Sequence, residues 1–211
     1  NTHKITLENI IQHSISVKKG IAKSLLVVDM PKGTYNNISS AEKNAKLVMR
    51  KTKCDAIKIE NYKRNYNIIK FLVKKKIPVM GHIGYTPQYK KKFMIEGQTK
   101  KGINKLLNEA KLIEKSGAFS IVLECLSPKA AKFITKEIKI PTIGIGSSNN
   151  CDGQILVTDD MLGLSGFYPK FVKKYTNLNR AIEKAVKEYT RDVKLKLFPT
   201  KNNFLNGKKY L

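Results

Sequence analysis

Polar residues interrupt the apolar runs of this chain at one recurrent place, the C-terminal end of a short β-rich segment. Asp29 closes the run 24–29 (SLLVVD), Lys58 and Glu60 end 56–60 (AIKIE), and Gly81-His82 stand at the end of 77–81 (IPVMG). Glu124 closes 119–124 (FSIVLE), and Gly144-Ile145-Gly146-Ser147-Ser148 end the run that starts at Ile140. In barrels and open α/β sheets alike, that edge is where catalytic groups converge. An acid capping the following helix would look the same at any single position. Three carboxylates, a lysine and a histidine on four successive strand ends are harder to assign to capping.

The chemistry follows from parity and residue type. Alternate residues of a strand share a face, so Lys58 and Glu60 point together while Ile57 and Ile59 point away. Asp29 and Glu60 are the hard oxygen ligands a Mg²⁺ ion accepts while keeping waters and taking its other contacts from substrate. The Lys58 ammonium could stabilise an enolate or polarise a carbonyl; it could equally form a plain ion pair with Glu60. Glu124, after Ile121-Val122-Leu123, is a candidate general base or else an acid at the entry of the helix that Ser127-Pro128 starts. His82 lies in Gly81-His82-Ile83-Gly84, where glycines admit a ligand close to the backbone, yet a structural, hydrogen-bonded histidine fits as well. Gly144-Ile145-Gly146 is too short for a phosphate loop and reads as a tight strand-to-helix turn. Cys125 should face away from Glu124 and pack.

Positioning these residues requires parallel strands separated by helices. A sixth run, 154–158 (QILVT), completes the set. Continuous rather than alternating hydrophobicity suits strands covered on both faces. Between them, Ser39-Ser40-Ala41-Glu42 reads as a capping box, with Ala41, Ala45 and Val48 on one face. Ile103, Leu106, Leu107, Ala110 and Ile113 form a second stripe, closed by Gly117. Leu178, Ala181, Ile182, Ala185, Val186 and Tyr189 make another, stopped by Pro199. With no internal repeat and no linker-like break, one α/β domain over 1–200 with a polar tail over 201–211 is expected. An open doubly wound sheet and a β/α barrel are both compatible with the pattern.

With 41% hydrophobic residues among 211, the chain can bury a core, which excludes wholesale disorder. Its 41 Lys+Arg against 16 Asp+Glu give +25, but the arginines (Arg50, Arg64, Arg180, Arg191) are scattered and the lysines spread over every segment. A diffuse lysine excess lacks the cluster and the bidentate arginine contacts that nucleic-acid recognition favours, so no nucleic-acid partner is expected. No apolar run approaches the ~20 residues of a membrane span, and Asn1-Thr2-His3-Lys4 has no signal-peptide pattern. Cys54, Cys125 and Cys151 form neither a Cys-x-x-Cys pair nor an even framework; a reducing cytoplasm is the expected compartment.

The site residues sit in strings that resemble the ketopantoate hydroxymethyltransferase family. The matching strings are Val28-Asp29-Met30-Pro31, Val48-Met49-Arg50, Ile57-Lys58-Ile59-Glu60 and Pro78-Val-Met-Gly-His-Ile-Gly-Tyr-Thr-Pro-Gln88. Further on come Val122-Leu123-Glu124-Cys125, Ile140-Pro-Thr-Ile-Gly-Ile-Gly-Ser-Ser148, Cys151-Asp-Gly-Gln-Ile-Leu-Val157 and Pro169-Lys-Phe-Val-Lys173. The resemblance runs in order from about Thr6 to Pro199. It implies an eight-stranded β/α (TIM) barrel of the phosphoenolpyruvate mutase and isocitrate lyase group. It also implies a homo-oligomer (the family forms decamers), Mg²⁺, and transfer of a one-carbon unit from 5,10-methylenetetrahydrofolate to 3-methyl-2-oxobutanoate in pantothenate and coenzyme A synthesis. Carried over by position, Asp29 and Glu60 would hold the metal and Asp29, Lys58 and His82 the substrate. Glu124 would remove the proton from C3.

The family opens with two further β-α units carrying a Gly-Asp-Ser-x-Gly motif with another metal-binding Asp, and no such motif occurs here. The six runs would then be strands three to eight, unable alone to close the barrel and short of one ligand. The missing part could precede this chain, come from another chain, or be lost in an inactive protein. Lys32-Gly33-Thr34 and Asn61-Tyr62 replace residues that are smaller or more apolar in the family. Two rivals remain: another Mg²⁺-dependent α-keto acid lyase or transferase of the same barrel group, and a non-catalytic basic nucleic-acid-binding remnant.

Overall fold

The computed structural model describes residues 5–62, 65–90 and 92–204, so Arg64 and the tail beyond 204 lie outside the described residues. Six strands, β1 (Val27–Asp29), β2 (Ala56–Glu60), β3 (Val79–Gly84), β4 (Ser120–Glu124), β5 (Thr142–Ile145) and β6 (Gly153–Gln154), form one sheet in the order β1 to β6. Every pairing is parallel. Consecutive parallel neighbours are the order of a β/α barrel; a doubly wound sheet would reverse direction at a switch point. The strands are apolar on the side packed against helices, with Ile57, Ile59, Val79, Ile121 and Leu123 all buried.

The helices are α1 (Leu7–Gly20), α2 (Ile38–Thr52), α3 (Tyr66–Lys74), α4 (Lys100–Lys115), α5 (Pro128–Glu137), α6 (Thr158–Leu162) and α7 (Leu178–Lys194). Helix α2 starts earlier than its sequence suggests. Asn37, not Ser39, is the cap: its side chain accepts from the Ser40 amide at 2.9 Å, and the Ser40 hydroxyl accepts from the Asn37 amide at 3.2 Å. Glu42 is instead paired with Lys46 one turn on, which holds its carboxyl below the usual range. Helix α4 buries Leu106, Leu107, Ala110 and Ile113 as its stripe requires. Helix α5 begins as expected, with Ser127 accepting from the Ala130 amide and proline in the first turn.

Contacts divide the chain into two compact units, Asn1–Ile155 and Leu156–Leu211, where the sequence pattern suggested a boundary near 200. The first unit contains the whole sheet. Its last strand is shorter than the 154–158 run: hydrogen bonding to β5 reaches Ile155, whose amide meets the Gly144 carbonyl at 3.0 Å, and Thr158 already begins α6. No helix joins β5 to β6, so Gly144–Ser148 leads into a loop and not the strand-to-helix turn expected there. In the second unit α7 carries the anticipated apolar stripe, but no residue of that helix is buried. Among the described residues no helix is long and apolar enough to cross a membrane.

Candidate active site

The C-terminal edge of β1–β4 gathers all five residues singled out from the sequence. Parallel register sets Asp29 beside Lys58 and Glu60 beside His82, and Gly84 beside Glu124. The side chains then link in a row. Lys58 Nζ lies 2.8 Å from Asp29 Oδ1 and 3.1 Å from His82 Nδ1, and His82 Nε2 lies 3.2 Å from Glu124 Oε2. The partner of Lys58 is thus Asp29, and among the described residues Lys58 forms no ion pair with Glu60.

This row fixes the imidazole. An ammonium can only donate, so Nδ1 faces Lys58 as an acceptor and the proton sits on Nε2, which donates to Glu124 and, at 3.1 Å, to the Tyr85 carbonyl. Burial, then the neighbouring Lys58 charge, lowers the pKa of His82, outweighing Glu124, and keeps the ring neutral. A neutral histidine whose N–H points at a carboxylate orients that carboxylate without competing for the proton it takes up.

Glu124 is held from its backbone. A Cβ at Gly84 would lie 2.2 Å from the Glu124 carbonyl oxygen, and Gly84 has φ +96°, so only glycine lets β3 approach β4 this closely. The Tyr85 amide donates to that carbonyl at 2.8 Å, and the Cys125 amide to the Ile145 carbonyl at 2.9 Å. Ser147 braces the next turn, donating to the Leu123 carbonyl at 2.6 Å and accepting from the Leu126 amide at 3.1 Å. Cys125 packs as expected; burial pushes its thiol up to about 12, so it carries no thiolate.

Glu60 is the anomaly of the site. It is 0% exposed, and its Oε1 has no hydrogen-bond partner among the described residues. Its Oε2 accepts only a 3.3 Å bond from the Gln88 amide. Burial first, with Asp29 adding to it against the relief from Lys58, pushes its pKa up to about 8. A buried carboxylate with an unmatched oxygen is costly unless protonated or bound by a cation. Two carboxylates from adjacent strands suit Mg²⁺, which keeps waters and takes other ligands from substrate. Among the described residues no group of three or more His, Cys, Asp and Glu is placed to hold a metal, so an ion bound by Asp29 and Glu60 would need its other ligands from elsewhere.

Gln88 and Tyr35 were not assigned a role from sequence. Gln88 donates through Nε2 to the Met30 carbonyl at 3.1 Å and to Asp29 Oδ2 at 3.4 Å, while its amide reaches Glu60. The Tyr35 hydroxyl donates to Gln88 Oε1 at 3.5 Å. One loop residue therefore ties both carboxylates together. Its signal was its place at the end of the Gly81–Gln88 string; Tyr35 stands in no such string.

A family model described as ketopantoate hydroxymethyltransferase matches residues 1–201. A 3-methyl-2-oxobutanoate hydroxymethyltransferase from Pelagibacter ubique is 50% identical over 203 residues, covering 96% of this chain and 79% of that protein. A protein of the same name from Thermotoga maritima is 43% identical over 213 residues, covering 99% and 78%. Among solved structures, a phosphonopyruvate hydrolase aligns with TM-score 0.55 at 13% identity, covering 92% of this chain and 68% of that one. A putative phosphonomutase from Burkholderia cenocepacia aligns with TM-score 0.51 at 11% identity, covering 90% and 79%. Likeness at that identity speaks to the β/α fold alone.

Proposed function

Because the chain belongs to the ketopantoate hydroxymethyltransferase family, we propose that it transfers a hydroxymethyl group to 3-methyl-2-oxobutanoate, giving 2-dehydropantoate for pantothenate and coenzyme A synthesis. The one-carbon donor in this proposal is 5,10-methylenetetrahydrofolate. The observation that carries the site assignment is the unbroken row Asp29–Lys58–His82–Glu124 beside the buried Glu60.

The difficult step is removal of a proton from carbon, for which a base and a place for the resulting negative charge are both needed. Glu124 is the base, its Oε2 held by the Nε2 proton of His82 and therefore aimed before substrate arrives. The Lys58 ammonium, 17% exposed at its side chain, lies next to the ring and offers positive charge to the keto acid at the open side of the site. A Mg²⁺ held by Asp29 and Glu60 would supply Lewis-acid stabilisation of the charge developing on the keto oxygen. Glu60 is suited to that task because its ionised form needs a cation.

The test is an assay of 2-dehydropantoate formation from 3-methyl-2-oxobutanoate, with the folate and Mg²⁺ each omitted in turn. Product that depends on both supports the proposal. Product without folate, or release of a cleaved keto acid fragment, would favour another reaction on the same fold.

A further inference from the structure

The chain turns sharply one residue after Glu124. Cys125, 2% exposed, has φ +53°, in the left-handed region that a residue with a side chain enters only at a cost. Such a conformation persists only where its surroundings over-determine it, and it is commonest at functional sites. The φ of Cys125 sets the peptide plane shared with Glu124. Whatever holds that angle therefore also holds the backbone from which the base projects.

Ser147, from the loop after β5, spans the turn. Its hydroxyl donates to the Leu123 carbonyl at 2.6 Å and accepts from the Leu126 amide at 3.1 Å, one group just before Glu124 and the other just after Cys125. Leu126 is 1% exposed, so its amide lies out of reach of bulk water and depends on a protein acceptor. The ladder between β4 and β5 stops at this point. The Cys125 amide still donates to the Ile145 carbonyl, at 2.9 Å, but the Cys125 carbonyl accepts from the Glu96 amide in the loop after β3, also at 2.9 Å. The strand changes partner at its kink, and a side-chain hydroxyl bridges the place where the ladder ends. Gly146 aims that hydroxyl, its φ of +61° bending the chain directly after β5. At the other end, Glu124 Oε2 meets His82 Nε2 at 3.2 Å, a long contact that a small shift of the strand end breaks.

We infer that Ser147 is a positioning residue for the base: its hydroxyl clips the strained turn at Cys125 and so keeps the Glu124 carboxylate on His82. The inference rests on the assignment of Glu124 as the base and adds what aims it. The Gly144–Ser148 stretch, too short for a phosphate loop, thereby gains a part in the chemistry without touching the substrate.

The test follows C3 hydrogen exchange of 3-methyl-2-oxobutanoate in D₂O with Mg²⁺ and no folate, alongside keto acid titration and, in H₂O, the ring N–H signals of protein labelled with ¹⁵N-histidine. At saturating keto acid, Ser147→Ala should slow exchange at least about tenfold, because small misplacements of a reacting group cost much in rate. Its keto acid Kd should stay within twofold, and the His82 Nε2–H signal should shift or broaden. Ser147→Thr keeps the hydroxyl and should exchange within threefold of wild type with that signal in place. Ser147→Cys is close to serine in size but hydrogen-bonds weakly, so it should slow exchange in the same direction and decides the matter if the alanine variant melts early. Exchange within twofold of wild type in the folded alanine or cysteine variant, with Glu124→Gln inactive, would overturn the role of Ser147 and leave the base standing. Equal losses in Ser147→Thr and Ser147→Ala would overturn it as well, since the hydroxyl would then not be what counts. If wild-type protein catalyses no exchange, or Glu124→Gln exchanges like wild type, the base assignment falls and takes the inference with it.

Discussion

Asp29 and Glu60 bear the same functional group on neighbouring strands and sit in different media. At the rim, the Asp29 side chain is 41% exposed and lies 2.8 Å from Lys58; at the floor, Glu60 is 0% exposed with one oxygen unmatched. The rim carboxylate has the Lys58 ammonium beside it and is open to solvent. The floor carboxylate is costly to keep ionised without a cation beside it, which is what supports the proposal of Mg²⁺ there. Glu124 belongs with the rim in accessibility, yet its orientation is set by the buried His82 of the floor. In the proposed reaction the site separates the group assigned to move a proton from the group assigned to hold charge still.

Breaking the rim at its base should give the largest effect. Glu124→Gln keeps the shape and the His82 contact but cannot take up a proton, so kcat should fall by about 10²–10⁴, with the keto acid Kd within a few-fold. Steady-state kinetics alongside keto acid titration would check this.

Breaking the floor should act on stability and metal together. The folded-state pKa of Glu60 is raised, so its contribution to stability is fully present below about 4.5 and is lost as pH rises through about 8. Within that window each pH unit should cost the metal-free protein on the order of 1.4 kcal/mol. Melts in chelator from pH 5 to 9 should therefore fall more steeply in wild-type protein than in Glu60→Gln. Added Mg²⁺ should restore wild-type stability at pH 8 and leave Glu60→Gln nearly unchanged.

Gln88→Ala tests the tie between the two regions. It removes the amide contacts to Asp29 and the Met30 carbonyl and opens space at a buried position. The expected cost is about 1–3 kcal/mol in denaturant unfolding, with weakened Mg²⁺ affinity. The smallest stability effect should come from Asp29→Asn, within about 1 kcal/mol because its ion pair is partly exposed. Its Mg²⁺ affinity should nevertheless drop at least tenfold, which would separate ligation from stability at the rim.

Much of this was legible in the sequence because strand parity and parallel register act on neighbours. Apolar runs closed by Asp29, Glu60, His82 and Glu124 determine which residues share an edge once the strands pair in order. Pairing partners were less legible: whether Lys58 meets Glu60 or Asp29 depends on side-chain geometry between strands, which spacing along one strand does not encode. Gln88 and Tyr35 reach the site from loops, where no periodicity announces direction. The Asn37 cap displaced the expected Ser39 because several adjacent residues can cap and backbone geometry chooses among them. The 154–158 run looked like a strand by composition, but hydrogen bonding to β5 ends at Ile155.

Exchange of the C3 hydrogen of 3-methyl-2-oxobutanoate in D₂O, followed by proton NMR with Mg²⁺ and no folate, tests proton removal apart from carbon transfer. Wild-type protein should catalyse the exchange and Glu124→Gln should slow it by at least about 100-fold. Exchange by Glu124→Gln within a few-fold of wild type would contradict the assignment of Glu124 as the base and the division of labour between rim and floor.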